Sequence, residues 1–434
     1  MARRRQHSHD HRPRAIAPGS PSRGAVATPV RARPNVRPAI RAEARPVVDT
    51  GPLPTFAELG VPNALVDVLT RQGISAPFPI QVATLRDTMA GLDVLGRGKT
   101  GSGKTLAFVL PMLTRLASSG QRRRSLRPRA LVLVPTRELA NQVNVAMQPL
   151  AAALGMRTAT VFGGVGAGQQ IAALRAGVDV VVACPGRLED HMQSGRVVLD
   201  AVEVTVLDEA DHMCDLGFLP GVVRILGRTP SSCQRMLFSA TLDGAVASIV
   251  SRFLTDPVTH SVDAVEAPVE EMDHHVFHLA AEQRLPILIE LTTLSSRTMV
   301  FTRTKHRAKS LARQLNANGV RAVEMHGNLA QNARERNLSA FADGTASTMV
   351  ATDIAARGLH VDDVRLVVHA DPPIEHKAYL HRSGRTARAG ASGTVITLMT
   401  DEQVRDVAAL ARKAGISPTT TKVRRGDPII ASLC

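Results

Sequence analysis

Between Gly98 and Thr105 the chain reads Gly-Lys-Thr-Gly-Ser-Gly-Lys-Thr, and 104 residues beyond Lys104 it reads Asp208-Glu209-Ala210-Asp211. The first segment suits phosphates. Gly98, Gly101 and Gly103 let successive backbone N–H groups turn inward, and the helix that follows presents its positive end. Lys104 adds a point charge, and the Thr105 hydroxyl is placed for a magnesium ion. The second segment brings carboxylates, Asp208 to the metal directly or through water and Glu209 to the water that attacks a γ-phosphate. The two together predict an ATP site with Mg2+: Thr100, Gly101, Ser102, Gly103, Lys104 and Thr105 around the phosphates, Thr105 and Asp208 on the metal. An isolated Asp-Glu pair is usually a solvated helix start, but here an apolar run precedes it and a phosphate loop lies upstream.

Upstream, Gly73-Ile-Ser-Ala-Pro-Phe-Pro-Ile-Gln81 ends on an amide that can donate to and accept from adenine N7 and N6, selecting ATP over GTP. Phe56, seventeen residues before Gly73, could pack on the base. As bare chemistry this signal is modest, because a Gln after Pro is usually just a turn. In the second half, His381-Arg382-Ser-Gly384-Arg385-Thr-Ala-Arg388 offers two arginines three residues apart, on one face if the segment is helical. Delivered from another domain, Arg385 and Arg388 would neutralise charge on the transferred phosphoryl group. Without the ATP site, a surface anion patch or a salt-bridged helix explains them better.

Short apolar runs must position these residues. Leu131–Val134, Val178–Ala183, Val202–Leu207 and Met236–Phe238 alternate with helix-like stretches at 137–152 and 187–194. Continuous β-branched runs bounded by turns are what parallel strands buried on both faces look like. Asp208 then falls at the C-terminal end of a strand, where open α/β sheets bind ligands. A break at 256–272 precedes a second alternation: Thr298–Thr302, Ala322–Met325, Thr348–Ala351, Leu366–His369 and Thr394–Leu398, with helical stretches at 305–318 and 331–342. The expected organisation is a basic arm at 1–50, a first α/β domain at 51–260, a linker at 261–272, a second α/β domain at 273–420 and a short tail at 421–434. The second half has no phosphate loop, so any nucleotide there must be completed from the first.

The 434 residues carry a formal net charge of +15, and the first fifty hold eleven Arg against three acids with little apolar periodicity. Such an arm reads as disordered and favours a polyanion, although solubility alone would also explain the charge. His7, His9 and His11 stand at alternate positions there, a pattern that is usually solvated rather than metal-bound. Aromatics are only 3% of the chain, too few for base-stacking platforms. The four cysteines, at 184, 214, 233 and 434, form no CxxC pair, which argues for reduced thiols and no zinc site. Met1-Ala-Arg-Arg-Arg lacks an apolar segment behind its charges and no run of 18 apolar residues occurs, so the expected setting is cytoplasmic, without a membrane.

These motifs, in this order, resemble a DEAD-box ATP-dependent RNA helicase of superfamily 2, bacterial type, and the resemblance runs from Phe56 to about Pro418. Phe56 and Gln81 match its adenine-sensing motif, Gly98–Thr105 its phosphate loop, and Asp208–Asp211 the tetrad that names it. Pro135-Thr-Arg-Glu-Leu-Ala140, Gly163-Gly164 and Pro185-Gly-Arg187 match RNA-contact motifs, and Ser239-Ala-Thr241 matches the motif that couples the sites. Val300–Thr304, His326-Gly327 with Gln331 and Arg334, Ala351-Thr352-Asp353 through Leu359, and His381–Gly390 follow in the family's order. The resemblance implies two tandem RecA-like domains, each a mostly parallel sheet flanked by helices, closing on ATP and single-stranded RNA. It implies Lys104, Asp208, Glu209, Arg385 and Arg388 as catalytic groups. Arg137, Gly164, Arg187, Thr304, Gly327 and Thr352 would lie along the RNA backbone. Asp211, Ser239, Thr241 and His381 would couple ATP state to closure, and Asp353 would orient the arginines.

Three positions depart from the family's pattern. Cys184 replaces the usual Thr before Pro-Gly-Arg, exchanging a good hydroxyl donor for a weak thiol near a phosphate. His360 replaces the common Asp at a position associated with the ribose, and brings pH sensitivity. Gly98 replaces a frequent Ala, which the loop accepts. The activity implied is RNA-dependent ATP hydrolysis with local separation of short duplexes, one strand being held by its phosphates and bent. Weak sequence preference and strong salt dependence follow. An RNA clamp or scaffold that does not unwind uses the same residues and stays open. A DNA helicase or translocase is disfavoured by the tetrad with Gln81, and a P-loop kinase by the second sheet. Ribonucleoprotein or ribosomal assemblies are open as partners, and the biological RNA and the oligomeric state are unreadable.

Overall fold

The computed structural model describes residues 54–98, 102–242, 244–262, 272–356, 361, 363–387 and 393–433. The basic arm with its three alternate histidines, Thr100, Gly101, His360 and Arg388 lie outside the described residues.

Two sheets of seven strands organise these residues, and both fall within one compact unit. The first contains β1 (Val94–Arg97), β2 (Ala130–Leu133), β3 (Thr158–Val161), β4 (Val180–Ala183), β5 (Val204–Leu207), β6 (Gln234–Ser239) and β7 (Val258–Ser261). The second contains β8 (Met272–His278), β9 (Thr298–Phe301), β10 (Ala322–Met325), β11 (Thr348–Ala351), β12 (Leu366–His369), β13 (Gly393–Met399) and β14 (Thr419–Lys422). Their orders are β3-β4-β2-β5-β6-β1-β7 and β10-β11-β9-β12-β13-β8-β14, the same path walked twice. Every pairing between these strands is parallel. Parallel neighbours need crossover connections, which put helices on both faces.

The side-chain period of two explains the apolar runs. Along β2, Ala130 and Val132 enter one apolar cluster while Leu131 and Leu133 enter the cluster on the opposite face. Along β9, Val300 and its neighbours Met299 and Phe301 divide in the same way. Each such fully buried side chain contributes about 1.5–3 kcal/mol, and both faces claim one, so the central strands read as unbroken hydrophobic runs.

Edge strands carry less of this signature. The residues of β3 and β7 are largely half-buried and those of β14 mostly exposed. The expected break at 256–272 therefore contains β7, and its last residue, Met272, opens β8. The expected tail at 421–434 is also structured in part. β14 pairs with β8 across position 421, Val423 and Ile430 are buried, and Pro428–Ser432 is helical. β7, β14 and the helix Pro428–Ser432 are thus ordered where a break and a tail were expected.

The common strand order also sorts the candidate residues. The neighbours β5, β6 and β1 end at Asp208, Ala240 and the phosphate loop, so their C-terminal edges meet at one place. The other half of the edge, β3-β4-β2, leads into Gly164, Arg187 and Arg137, and the equivalent β10-β11-β9 leads into Gly327, Thr352 and Thr304.

Candidate active site

The helix Lys104–Ser118 starts from Gly103, whose φ of 86° is left-handed. A Cβ there would fall 2.7 Å from Gln81 Nε2 and 2.8 Å from Phe78 Cδ2, so only glycine closes the loop at this point. Gln81 is fully buried; its Nε2 donates to Gly103 O at 2.8 Å and its Oε1 accepts from the Phe78 backbone N–H at 3.0 Å. The amide expected to read adenine thus braces the phosphate loop. Phe56, expected against the base, lies in the apolar core at 2% exposure. Lys104 Nζ donates to Gly98 O at 2.7 Å, turned onto its own loop, and the buried Ser102 Oγ has no hydrogen-bond partner among the described residues. An unpaired buried hydroxyl, a reorientable ammonium and two adjacent carboxylates are a donor set that fits a phosphate with a divalent cation. Thr105 follows Lys104 in the first turn.

Asp208 extends β5, its backbone N–H donating to Leu133 O at 3.0 Å. Burial raises its carboxyl to about 7, against the opposing pull of Lys104. Burial also acts to raise Glu209, but the hydrogen bond from His212 and the charges of Lys104 and Arg385 outweigh it and hold that carboxyl down at about 2. Two neighbouring carboxylates are therefore pushed apart in acidity. A group held as low as Glu209 stays ionised and orients a water better than it removes a proton from it. Its backbone is left-handed, φ 51° and ψ 52°, a conformation costing a non-glycine residue about 1–2 kcal/mol. That strain turns the side chain out of the strand direction at the edge of the sheet.

Asp211, Ser239 and Thr241 form one network. Asp211 Oδ2 accepts from the Thr241 N–H at 3.0 Å and from its hydroxyl at 3.1 Å. Ser239 Oγ donates to Thr241 O at 2.7 Å and accepts from the Asp211 N–H at 3.2 Å. Gly98 N–H donates to Ser239 O at 3.2 Å, which ties the same network to the phosphate loop.

The second sheet supplies the far wall. Arg385 and His381 line one cavity with Lys104, Glu209, Asp211, His212 and Ala240. The helix His376–Ser383 ends before Arg385, so the helical condition for a shared face is not met at Arg385, which follows the cap Gly384 and donates from Nε to His381 O at 3.3 Å. Asp353 takes Arg382 rather than Arg385, through bonds of 2.5 Å to Nε and 2.8 Å to Nη2. Arg382 Nη1 also donates to Asp371 O at 2.8 Å, so this pair fixes the helix that leads to Arg385.

Of the residues expected along RNA, Arg137 and Gly164 are in contact. The guanidinium packs against Gly164, where a Cβ would have to displace it, and the φ of 78° there favours glycine. Arg187 Nη1 donates to Val165 O at 3.3 Å beside them. Cys184 precedes the helix Pro185–Gln193, and burial, then Glu138, pushes its thiol up to about 12 and keeps it neutral. Thr304 caps the helix Lys305–Ala317 by accepting from the Arg307 N–H at 3.2 Å. Thr352 N–H donates to Met325 O at 3.1 Å, and Gly327 faces open space.

His212, which sequence reasoning passed over, directly follows the tetrad one helical turn from Glu209, and its Nδ1 lies 3.3 Å from Glu209 Oε2. That spacing was a usable signal. Arg382 carried none, because an Arg beside other Arg residues does not announce its partner 29 positions away.

Residues 78–249 match the DEAD/DEAH box helicase domain and residues 283–390 the helicase conserved C-terminal domain. The chain is 42% identical over 368 residues to DEAD-box ATP-dependent RNA helicase 3A, chloroplastic, of Zea mays, covering 83% of this chain and 49% of that protein. It is 37% identical to ATP-dependent RNA helicase RhlB of Sodalis glossinidius, covering 83% and 88% respectively. The solved structure of S. cerevisiae Dbp5 bound to RNA and ADP BeF3 shares the fold with a TM-score of 0.77 at 26% identity, over 87% of this chain and 98% of that one. Against several of the curated plant relatives, the chain spans about half to three-fifths of their length. The same strand order repeated in two sheets, the phosphate loop beside the Asp-Glu-Ala-Asp tetrad and these matches lead to one conclusion: the chain belongs to the DEAD-box RNA helicase family.

Proposed function

We propose that this chain hydrolyses ATP when it binds RNA and uses the cycle to separate short RNA duplexes locally, holding one strand by its phosphates and bending it. The observation that carries this reading is Arg385 of the second sheet lining one cavity with Lys104 and Glu209 of the first, so a nucleotide there would touch both halves. ATP is the substrate. Lys104, Ser102, Gly103 and Thr105, with Thr100 and Gly101, would hold its phosphates, and Thr105 and Asp208 would hold Mg2+. The metal would supply Lewis-acid stabilisation of charge on the phosphates. Glu209, ionised and steadied by His212, orients water, and Arg385, with Arg388, answers the charge that develops as phosphoryl transfer proceeds.

Coupling follows from shared atoms. Asp211 touches Thr241 and Ser239, and Ser239 O touches the phosphate loop, so a change in the loop would be felt where Ala240 lines the cavity shared with Arg385. RNA would run along the equivalent edges β3-β4-β2 and β10-β11-β9, met by Arg137, Gly164 and Arg187 and by Thr304, Gly327 and Thr352. Backbone-directed contacts of this kind carry little sequence preference. Among the described residues no helix is long and apolar enough to cross a membrane. We place the protein in the cytoplasm, acting on single-stranded RNA and short duplexes, with ribonucleoprotein or ribosomal assemblies as its setting.

The test is phosphate release with and without unstructured RNA, followed by strand displacement on a labelled short duplex. Acceleration by RNA together with displacement supports the reading. Absence of acceleration at any Mg2+ concentration overturns it, and acceleration without displacement reduces it to an ATP-dependent clamp.

A further inference from the structure

Among the described residues the chain exposes one aromatic side chain. It has ten Phe, one Tyr and no Trp; nine of the Phe and Tyr379 are buried or half-buried, and Phe78 is 47% exposed. That ring stands at the phosphate loop. A Cβ on Gly103 would meet Phe78 Cδ2 at 2.8 Å and Phe78 Cβ at 3.0 Å, beside Gln81 Nε2 at 2.7 Å. The Phe78 N–H donates to Gln81 Oε1 at 3.0 Å while Gln81 Nε2 donates to Gly103 O, so ring, amide and loop form one unit.

Phe78 serves the fold poorly. It occupies the N-cap of the helix Pro79–Met89, where its side chain makes no capping hydrogen bond and where Ser, Thr, Asp or Asn is preferred. It also leaves apolar surface in water. A residue that breaks two local rules without structural return is expected at a binding site.

Gln81 is placed in the opposite way. It is fully buried, with its donor on Gly103 O at 2.8 Å and its acceptor on the Phe78 N–H. An amide enclosed like this offers itself to a base edge only by releasing the loop. Phe56 is closed off as well, in the apolar core. The face of Phe78 is what remains for a nucleobase whose phosphates lie on the loop. Stacking tolerates any base because every base has a π-face, whereas a site that reads a base by hydrogen bonds rejects the wrong one strongly, since its own buried polar groups are left unpaired.

We propose that Phe78 carries the nucleobase by stacking and that the site therefore takes purine nucleoside triphosphates as a class, hydrolysing GTP as well as ATP. This specificity rests on the ATPase reading given above and leaves its chemistry unchanged. The oxygen of water bonds to the γ-phosphorus as the bond to the β,γ-bridging oxygen breaks, giving GDP, inorganic phosphate and one proton.

The experiment measures phosphate release by the full chain with saturating oligo-uridine, using magnesium ATP and magnesium GTP in turn. The kcat/KM for GTP should lie within about tenfold of that for ATP, where a site read by hydrogen bonds would separate them by about 10,000-fold or more. Phe78→Ala should raise the KM of both nucleotides by about tenfold with a much smaller change in kcat, as loss of one stacked base implies. Phe78→Tyr should restore both values, which separates loss of the ring face from loss of the fold. Discrimination against GTP by more than about tenfold in the wild type would overturn the proposal. So would unchanged KM values in Phe78→Ala, or a rise confined to ATP. If RNA accelerates hydrolysis of neither triphosphate, the ATPase reading itself falls.

Discussion

Glu138 and Arg334 form an ion pair of 2.7 Å between the two sheets, with only 5% and 10% of their side chains exposed. Glu138 lies in the first turn of the helix Arg137–Ala153 after β2, and Arg334 in the first turn of the helix Gln331–Ala342 after β10. Gln331 completes the seam, accepting from Arg137 Nη1 at 3.2 Å and donating to Glu138 Oε1 at 3.4 Å. A buried pair inside a core cannot lose one partner cheaply, because the other charge stays dry. Between two lobes that can part, the surviving charge regains water.

The seam should therefore act on closure more than on folding. Arg334→Gln is expected to shift the folding free energy by less than about 1 kcal/mol, well below the roughly 3–5 kcal/mol of a broken core pair. The RNA concentration for half-maximal ATPase should rise several-fold. Urea unfolding and RNA-titrated phosphate release decide it; a core-sized loss of stability with unaltered RNA response would refute the closure role.

At the phosphate end, Lys104→Ala should lose ATP binding, since its ammonium is the point charge of the loop. Glu209→Gln should retain ATP and RNA while turnover drops by about 100-fold or more, as expected for loss of a group acting on the attacking water. Equilibrium binding of a fluorescent nucleotide separates the two outcomes. Equal loss of nucleotide affinity in both variants would argue that Glu209 serves binding.

Arg385→Ala should remove most hydrolysis, by about 1,000-fold if it behaves as an arginine finger, with modest loss of ATP affinity because its charge matters chiefly in the transition state. Comparing kcat with nucleotide Kd reads this directly. Normal RNA-stimulated turnover would eliminate the role.

The second lobe should be acid-sensitive. His369 is fully buried, with Nδ1 3.1 Å from Thr397 Oγ1, and His274 Nδ1 lies 2.8 Å from the Tyr379 hydroxyl. Burial drives His369 well below its ordinary value and lowers His274 to about 4. Both are neutral when folded, whereas the unfolded chain takes up protons below about 6.5. The unfolded state then binds more protons, so stability falls as pH drops from about 6.5 toward 4, by about 1.4 kcal/mol per pH unit for each full proton of difference. His369→Asn should flatten that fall when urea unfolding is repeated from pH 7.5 to 4.5. An undiminished slope would show that other groups govern it.

What the linear chain determined by itself was the chemistry and most of the architecture. Glycines, Lys104 and Thr105 stand within eight consecutive positions, and Asp208 follows an apolar run, so both signals are local. The central strands β2, β4, β5, β9, β11 and β12 were readable because both of their faces are buried. Tertiary structure decided which side chains meet. Gln81, read from the sequence as an adenine contact, braces Gly103, Asp353 takes Arg382, Glu138 finds Arg334 196 positions away, and Asp371 gathers Arg284, the Arg303 backbone and Arg307. The edge strands β3, β7 and β14 likewise became visible only through their neighbours, since a half-solvated strand needs no apolar alternation. Spacing along a chain fixes residue types near one another in sequence. Long-range pairings depend on crossover order and helix rotation, which are set by packing across the whole sheet and leave no local trace.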